Sequence, residues 1–506
     1  MRNKSYKIIL SALFLVSVLG SCKKWVDYDP HDDSLVTDLD YLKSETDYRT
    51  MAVSVYTPVQ WLNQTVQVGD IASDNSVAGG ENSRDVLSLQ EIDDMTHTSN
   101  NTTLNEIWKA CYEGINRANL LHQYKEANPA GTAVTFPGKE SMYGEIYFLR
   151  AYYYFTLVKF FGDVPLFVER RLGPTDAGSL TRAPKAEVYA QIENDLNKAI
   201  TSLPAVAQQV DRGRATKYAA QALLGKVLVY QEKFDAAVPV LDAVITPNAF
   251  SLVTDMKSVF LNSGENGPES VFEIQYSNGT PYYNWGGYLR GQGNYAIQQF
   301  GVRGLNGTGA MPYSPGWSTG LPTQNLAAAY QAGDQRKDVT ILDIEAYKTA
   351  NPALNITYQV APYKNTGLYN QKYLPRKGET SGQLELNYGN NLRTIRYAEV
   401  LLLAAEANNR ATAPNDAKAR TYLNDVRARA FGNHSHDILT GGAALKQSIW
   451  DERRLELAME GERFFDLVRT GQAAAKITGF ETGKHELFPL PIDEVRAGLP
   501  QNPRYQ

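Results

Sequence analysis

Apolar residues recur three or four positions apart along most of the chain, which is the spacing of a helix with one buried face. In four regions two such stretches follow one another along the chain. They are residues 48–62 with 104–124, residues 142–167 with 186–204, and the segments 216–247 and 396–430, each of which contains both stretches. This pattern predicts a mostly α-helical protein built from four helix pairs.

The third of these regions has the residue order of a tetratricopeptide repeat. The order is carried by Leu224-Gly225, Tyr230, Phe234, Ala237 and a closing Pro247. Small residues in such a repeat let two antiparallel helices approach, and aromatic side chains fill the space between them. Because a single pair cannot bury its apolar faces, neighbouring pairs must stack. We therefore expect a curved, tetratricopeptide-like helical scaffold.

The helical pattern stops between residues 263 and 320, where Gly, Asn, Tyr and Trp become frequent. This composition predicts long loops, with a short strand at Val271 to Tyr276. Structureless stretches of this length inside a compact protein are usually functional or disordered, and abundant aromatic residues argue against disorder. We expect this insertion to contain the binding site.

The overall charge favours no polyanionic partner. The chain has 506 residues, a formal net charge of −5 and a sequence pI near 5.8, so we expect no binding to nucleic acid. The chain has 31 Tyr and 17 Phe, an unusual excess of Tyr over Phe. Tyr has a large apolar face and a hydrogen-bonding tip, which suits partly polar binding surfaces.

The N-terminus has the order of a targeting segment. Basic residues precede an apolar stretch at 8–19, which is too short to span a bilayer, and small residues follow it. The order Leu-Gly-Ser-Cys at 19–22 resembles the bacterial lipobox, in which the cysteine is lipidated after cleavage. We expect residues 1–21 to be a signal peptide and Cys22 to be a lipid anchor. The alternative is a plain secretory signal.

The chain has two cysteines, so lipidation of Cys22 leaves Cys111 without a disulfide partner. A lone cysteine on an apolar helix is more often a small buried hydrophobic residue than a reactive thiol. We expect Cys111 to lie in the core.

Four motifs together resemble the SusD/RagB family of outer-membrane nutrient-binding lipoproteins. They are FLRAYYYFTLVKFFGDVPL, RYAEVLLLAAEANN, WDERRLELAMEGERFFDLVRTG and the ending LFPLPIDEVRAGLPQNPRY, in this order along the chain. The resemblance implies four tetratricopeptide-like helix pairs with ligand-binding loops inserted around them. It also implies a partner, a TonB-dependent outer-membrane transporter to which captured oligosaccharides are delivered.

The resemblance further implies a lipid-anchored protein of the outer membrane that faces the cell exterior. Surface-displayed relatives usually have acidic residues directly after the lipidated cysteine. Here Lys23 and Lys24 come first, so the residues after Cys22 leave the choice of leaflet open.

The segment from Trp450 to Gly471 contains many charges on an apolar background. Trp450, Leu457, Gly461, Phe464, Phe465 and Val468 fall on one helical face. Glu452, Glu456 and Glu460 form a like-charged series that would repel unless paired, and Arg453 and Arg463 stand three residues from Glu456 and Glu460. We expect a structural ion-pair network and not an acid–base pair.

Three motifs suggest catalysis or metal binding, but none has the required surroundings. GWSTG at 316–320 lacks the strand and helix that would present Ser318 as a nucleophile. GQGNYA at 291–296 lacks the strand and helix of a dinucleotide loop. HSHD at 434–437 lies in a polar turn. We expect no enzyme activity and no cofactor. Some relatives carry calcium, but no set of calcium ligands can be recognised in this sequence.

A sugar ring stacks on aromatic faces, and its hydroxyls need carboxylate, amide or guanidinium groups. The insertion supplies four candidate aromatics, Tyr283, Trp285, Tyr295 and Trp317, and the resemblance also places aromatic platforms in this part of the chain. A Gly-containing loop after the first helix supplies Asp74, Asn75 and Arg84. Each aromatic could instead plug the space beneath its own loop. Trp61 is expected to pack and not to bind.

The expected organisation is a signal peptide (1–21), a tether (22–44), an N-terminal helical region (45–262), a ligand-binding insertion (263–390) and a C-terminal helical region (391–506). The favoured function is capture of oligosaccharides at the cell surface. Two alternatives remain open: binding of peptides by the same cleft, and an assembly scaffold that binds only protein.

Overall fold

A computed structural model describes residues 41–173, 176–284, 291–360 and 363–505. The predicted signal peptide, Cys22 and Trp285 lie outside the described residues. Within these ranges, no helix combines the length and the apolar character needed to cross a membrane.

Helices make up most of the regular structure. In chain order the α-helices are α1 (Glu45–Tyr56), α2 (Gln64–Ile71), α3 (Leu87–Asp93), α4 (Thr102–Gln123), α5 (Lys139–Phe161), α6 (Lys185–Ser202), α7 (Lys217–Tyr230), α8 (Phe234–Ile245), α9 (Met256–Val259), α10 (Ala296–Phe300), α11 (Gln324–Ala329), α12 (Arg336–Thr340), α13 (Ile344–Ala350), α14 (Tyr397–Arg410), α15 (Asp416–Phe431), α16 (Gly442–Glu456), α17 (Arg463–Arg469), α18 (Ala473–Lys476) and α19 (Ile492–Arg496). Among the described residues, four 3₁₀ turns lie between these helices. Thr57–Leu62 borders the site described below; the others are Ala177–Ser179, Asn262–Gly264 and Pro352–Leu354.

The strands are short and pair only two at a time. They are β1 (Ser76–Val77), β2 (Val164–Pro165), β3 (Arg182–Ala183), β4 (Ser270–Ile274), β5 (Leu321–Pro322), β6 (Ile341–Asp343), β7 (Leu368–Asn370) and β8 (Leu392–Arg396). The antiparallel pairs are β1 with β5, β2 with β3, β4 with β8 and β6 with β7. Strand β4 confirms the strand predicted at Val271 to Tyr276.

The predicted helix pairs are present. Helix α5 packs against α6, α7 against α8 and α14 against α15, and the 3₁₀ turn Thr57–Leu62 packs against α4. Neighbouring pairs also touch, through α4 with α5, α6 with α7, and α8 with α14. The tetratricopeptide-like scaffold is thus confirmed.

Gly225 shows why the repeat pattern fixes this packing. A Cβ atom at this position would lie 2.3 Å from Cδ2 of Leu241 on the facing helix, so only glycine permits the observed approach of α7 and α8. At the start of α7, the Thr216 hydroxyl accepts a hydrogen bond from the backbone N–H of Ala219 at 3.2 Å. Sequence and packing therefore agree in this pair.

Many of the tyrosines serve the core. On α5, the hydroxyl of Tyr143 donates to the carbonyl of Leu121 at 2.9 Å, and the hydroxyl of Tyr153 donates to the carbonyl of Val55 at 2.6 Å. The Tyr153 ring also fills the space beside Gly114, where a Cβ atom would lie 2.2 Å from the ring. The high Tyr content therefore reflects buried helix packing as well as a binding surface.

The charged segment after Trp450 forms the predicted ion-pair network, but the predicted pairing is wrong. Glu456 pairs with Arg336, Arg396 and Arg429, and Glu460 pairs with Arg396 and Lys372. Glu452 pairs with Arg336 and Arg427. Arg453 instead binds Asp466 at 2.9 Å, and Arg463 binds Asp74 at 2.7 Å. The glutamates are neutralised by cations from distant parts of the chain.

The prediction of one continuous helical face after Trp450 is also wrong. Helix α16 ends at Glu456 and α17 begins at Arg463, and the turn between them contains two residues with positive φ, Met459 and Gly461. A Cβ atom at Gly461 would lie 2.6 Å from the Cα of Val66. The turn therefore brings this segment into direct contact with α2.

The chain divides into two units by its internal packing. The small one contains the described residues 41–48 and 124–136. In it, the hydroxyl of Tyr48 donates to the carbonyl of Tyr124 at 2.7 Å, and the Tyr48 ring lies 5.8 Å from the Phe136 ring. The large unit contains residues 49–123 and the described residues from 137 onward. It contains the scaffold helices from α4 onward and the site described below.

Candidate functional site

A cavity of about 420 Å³ lies where the loop insertion meets the first helix pair. Its walls come from the 3₁₀ turn Thr57–Leu62, from residues 85–89, from the start of α4 and from the insertion between Tyr283 and Trp317. A volume of this size lies within the range of small-molecule sites. The cavity therefore lies beside the insertion from which the sequence predicted aromatic ligand contacts.

Four aromatic side chains line the cavity: Trp61, Tyr283, Tyr295 and Trp317. All four are half-buried. The Tyr283 and Tyr295 rings lie 6.0 Å apart in an edge-to-face arrangement, at an angle of 71°. Three of the four aromatics predicted from the insertion are thus brought together, and the fourth, Trp285, lies outside the described residues.

Trp61 was expected to pack, yet it lines the cavity. The guanidinium carbon of Arg117, one of the residues of α4, lies 5.5 Å from the centre of its ring. This contact supports the indole at the end of the 3₁₀ turn. Periodicity alone could not separate a helix-end tryptophan that packs from one that borders a cavity.

The position of Tyr283 depends on a close approach between backbones. Its N–H donates to Oδ1 of Asn387 at 2.8 Å, and Nδ2 of Asn387 donates back to its carbonyl at 2.8 Å. A Cβ atom at Gly291 would lie 2.0 Å from the Tyr283 nitrogen. Gly291, from the GQGNYA motif, thus serves loop packing.

Trp317 is held in the same way. A Cβ atom at Gly316 would lie 2.3 Å from the Cα of Gly301, so the two backbone segments touch. The Trp317 N–H donates to the carbonyl of Gln298 at 2.9 Å, and its carbonyl accepts from Nη2 of Arg303 at 3.0 Å. The indole therefore projects from a loop with a fixed backbone.

Ser318, the central residue of the GWSTG motif, has a structural role. It is 0% exposed and has a positive φ of 57°. Its Oγ accepts a hydrogen bond from the Arg303 N–H at 2.8 Å and donates to the Gly301 carbonyl at 3.3 Å. The motif reflects loop geometry and does not present a nucleophile at the cavity.

Polar groups lie beside the aromatic walls. Nε2 of Gln64 donates to the Glu106 carboxylate at 2.7 Å and also to the hydroxyl of Tyr295. Asp85 also lines the cavity and pairs with Arg303. Carboxylate and amide groups beside aromatic rings are the partners that a polyhydroxylated ligand needs.

The sequence did not single out Gln64, Asp85 or Glu106. The only available signal was the predicted pairing of residues 48–62 with 104–124, which brings the end of the first stretch beside the start of the second. Such a pairing gives proximity but no side-chain direction.

The ligand role predicted for Asp74 and Asn75 is corrected by the structure. Arg463 donates to Asp74 at 2.7 Å, and Nε of Arg454 donates to Oδ1 of Asn75 at 2.9 Å. Asn75 is fully buried, and neither residue lines the cavity. Burial would raise the pKa of Asp74, but the hydrogen bond and charge of Arg463 lower it. Both side chains fasten the loop to the C-terminal helices.

Arg84 is exposed on the same loop, directly before Asp85. Its backbone N–H donates to Oδ1 of Asn82 at 2.9 Å, which stabilises the turn. A ligand contact from the Arg84 side chain stays a prediction.

The two histidines of the HSHD motif make local contacts, and Cys111 lies in the core. His434 pairs with Asp437 at 3.1 Å, and the His436 ring stacks on Phe431 at 3.9 Å. Cys111 is buried, and burial raises the pKa of its thiol well above the ordinary value. In the part of the chain that the structure describes, no group of three His, Cys, Asp or Glu side chains is placed to hold a metal ion.

Comparison with known proteins places these features in a family. The model of the SusD family matches residues 343–488, and a model described as "Starch-binding associating with outer membrane" matches residues 24–229. A curated relative, SusD-like protein P25 of Formosa agariphila, is 25% identical over 524 residues, with 96% of each chain covered.

Solved structures share this fold over most of the chain. A "Laminarin binding SusD-like protein" is 34% identical, with a TM-score of 0.82 over 92% of this chain and 100% of that chain. The surface glycan-binding protein A from Bacteroides fluxus is 27% identical, with a TM-score of 0.80 over 91% of this chain and 100% of that chain. The resemblance seen in the sequence motifs is confirmed, and the chain belongs to the SusD family.

Proposed function

We propose that this protein binds an oligosaccharide in the cavity between Trp61, Tyr295 and Trp317 and does not cleave it. The observation that carries the proposal is the combination of half-buried aromatic rings with the Gln64 amide and the Glu106 and Asp85 carboxylates in one cavity. An aromatic face stacks on the apolar side of a pyranose ring, and carboxylates accept hydrogen bonds from hydroxyls.

We further propose a β-glucan of the laminarin type as the first ligand class to test. Its support is the similarity to a laminarin-binding SusD-like protein over 92% of this chain. The cavity chemistry agrees with a neutral sugar polymer, because its walls combine aromatic rings with both carboxylate and amide groups.

At the cell surface, the proposed role is delivery of the bound glycan. The family resemblance supports a lipid anchor on Cys22, a position at the outer membrane facing the cell exterior, and transfer of the bound glycan to a partner TonB-dependent transporter. The match of residues 24–229 to a model described as associating with the outer membrane supports the same location.

Isothermal titration calorimetry of the mature chain with Cys22→Ala tests this function. Laminarin-derived oligosaccharides should give saturable heat, whereas starch oligosaccharides and a mixed peptide pool are the comparison ligands. Trp317→Ala should abolish the glycan signal. Heat with the peptide pool and none with any glycan would replace the proposal with the peptide-binding alternative.

A further inference from the structure

We propose that a second cavity binds the continuation of the same oligosaccharide, so that the protein selects long chains over short ones. This inference rests on the proposed function of the first cavity. The second cavity has a volume of about 650 Å³. Its aromatic walls are Trp61, Trp108, Tyr112 and Phe167.

The two cavities are neighbours that share one side chain. Trp61 lines both of them. Helix α4 also borders both, with Thr103 and Glu106 at the first cavity and Lys109 and Glu113 at the second. Residues spaced three or four apart lie on one helix face, and the seven steps from Glu106 to Glu113 rise by about 10 Å. A chain of sugar rings leaving the first cavity along α4 therefore enters the second.

The walls of the second cavity are already formed. The Tyr112 and Phe167 rings are stacked with centroids 5.7 Å apart and an interplanar angle of 16°. The Tyr112 hydroxyl donates to the carbonyl of Pro165 at 2.9 Å, which fixes its ring. A preformed aromatic wall binds a ring with little loss of side-chain entropy.

Polar groups distinguish this cavity from a purely apolar groove. Glu494 and Glu113 line the cavity together with Trp108, and the Trp108 side chain interacts with the Glu494 carboxyl. An apolar ligand would remove these carboxyl groups from water without replacing their hydrogen bonds. Sugar hydroxyls supply such bonds while the rings stack on the aromatic side chains. The chemistry thus matches that of the first cavity.

The test compares a laminarin-derived trisaccharide with a heptasaccharide by calorimetric titration of the mature chain with Cys22→Ala. The unaltered surface should bind the heptasaccharide at least about tenfold more tightly. Phe167→Ala should lower the affinity for the heptasaccharide about tenfold and change the affinity for the trisaccharide less than about twofold. Phe480→Ala, a half-buried phenylalanine that lines neither cavity, is the matched control and should change neither.

Loss of folding in Phe167→Ala would show in its thermal unfolding, and Glu494→Gln then provides the second test with the same expected selectivity. Equal affinity for both oligosaccharides, or equal weakening of both by these variants, would overturn the extended site while leaving the proposed function intact. Absence of binding to both oligosaccharides by the chain with Cys22→Ala alone would instead contradict the proposed function.

Discussion

The C-terminal part of the scaffold and the cavity use the same kinds of side chain for different purposes. In the scaffold, Glu456 is fully buried and contacts three guanidinium groups, from Arg336, Arg396 and Arg429. Burial alone would raise the pKa of Glu456, but these groups hold it well below the ordinary value. At the cavity, Glu106 is half-buried, accepts from the Gln64 amide and borders open space.

The tryptophans show the same difference. Trp450 and Trp317 are both half-buried. The indole N–H of Trp450 donates to Glu406 at 3.0 Å within the scaffold, whereas Trp317 lines the cavity. Exposure alone therefore does not distinguish a tryptophan of the scaffold from one that lines the cavity. What separates the two regions is whether the polar and aromatic groups face one another or face the cavity.

The largest expected effect is a loss of stability in the scaffold. Glu456→Gln removes the charge that compensates three buried guanidinium groups, so the free energy of unfolding should fall by about 3–5 kcal/mol. Urea unfolding monitored by circular dichroism measures this change. Asp451→Asn, at an exposed site on the same helix, is the control and should change stability by less than about 0.5 kcal/mol. Equal effects of the two substitutions would contradict the network.

The tryptophan pair should separate stability from binding. Trp450→Ala should lower the free energy of unfolding by about 2–3 kcal/mol, less than a fully buried tryptophan, and should preserve glycan affinity in the folded protein. Trp317→Ala should abolish glycan binding and change stability by less than about 1 kcal/mol. Thermal unfolding and calorimetric titration of both variants check this. A large destabilisation by Trp317→Ala would show that its indole is part of the core.

A smaller effect should appear with pH near the C-terminus. His97 is buried against the rings of His485 and Phe488, and its Nε2 lies 2.9 Å from the Tyr505 hydroxyl. Burial, together with the charge of His485, lowers the pKa of His97 to about 3. An unfolded histidine has a pKa near ~6.5, so below that pH the unfolded chain takes up a proton that the folded chain does not.

The stability supplied by neutral His97 is therefore complete above pH ~6.5 and declines as the pH falls toward 3, by about 2 kcal/mol at pH 5. Urea unfolding at pH 7.5 and pH 5 should show a smaller decline for His97→Phe than for the unaltered chain. The same decline in both proteins would contradict this assignment.

The sequence correctly predicted the structural features that depend on residues close together in the chain. Helical periodicity predicted the scaffold pairs, and the position of Gly225 in its repeat indicated a close helix approach, which the 2.3 Å distance to Leu241 explains. It failed at the end of α16, because the apolar spacing continues through a turn that depends on positive φ at Met459 and Gly461. Periodicity does not report a backbone reversal of this kind.

Contacts between residues that lie far apart in the chain could not be predicted from the sequence. Asp74 and Asn75 lie in a loop whose composition is typical of ligand-binding loops. Their side chains instead accept hydrogen bonds from Arg463 and Arg454, respectively, which lie nearly four hundred residues later in the chain. Trp61 was expected to pack at a helix end, and only tertiary packing places it between two cavities. Tyr283, Tyr295 and Trp317 of the insertion do line one cavity, and their contact with a ligand stays a prediction.

The most direct test of the difference between the two regions is a crystal structure of the mature chain with a laminarin-derived hexasaccharide. The account predicts sugar rings stacked on Trp317 and Tyr295, with hydroxyl groups bonded to Glu106, and no change in the ion pairs of Glu456. Sugar density elsewhere on the protein, with the cavity beside Trp317 empty, would contradict it.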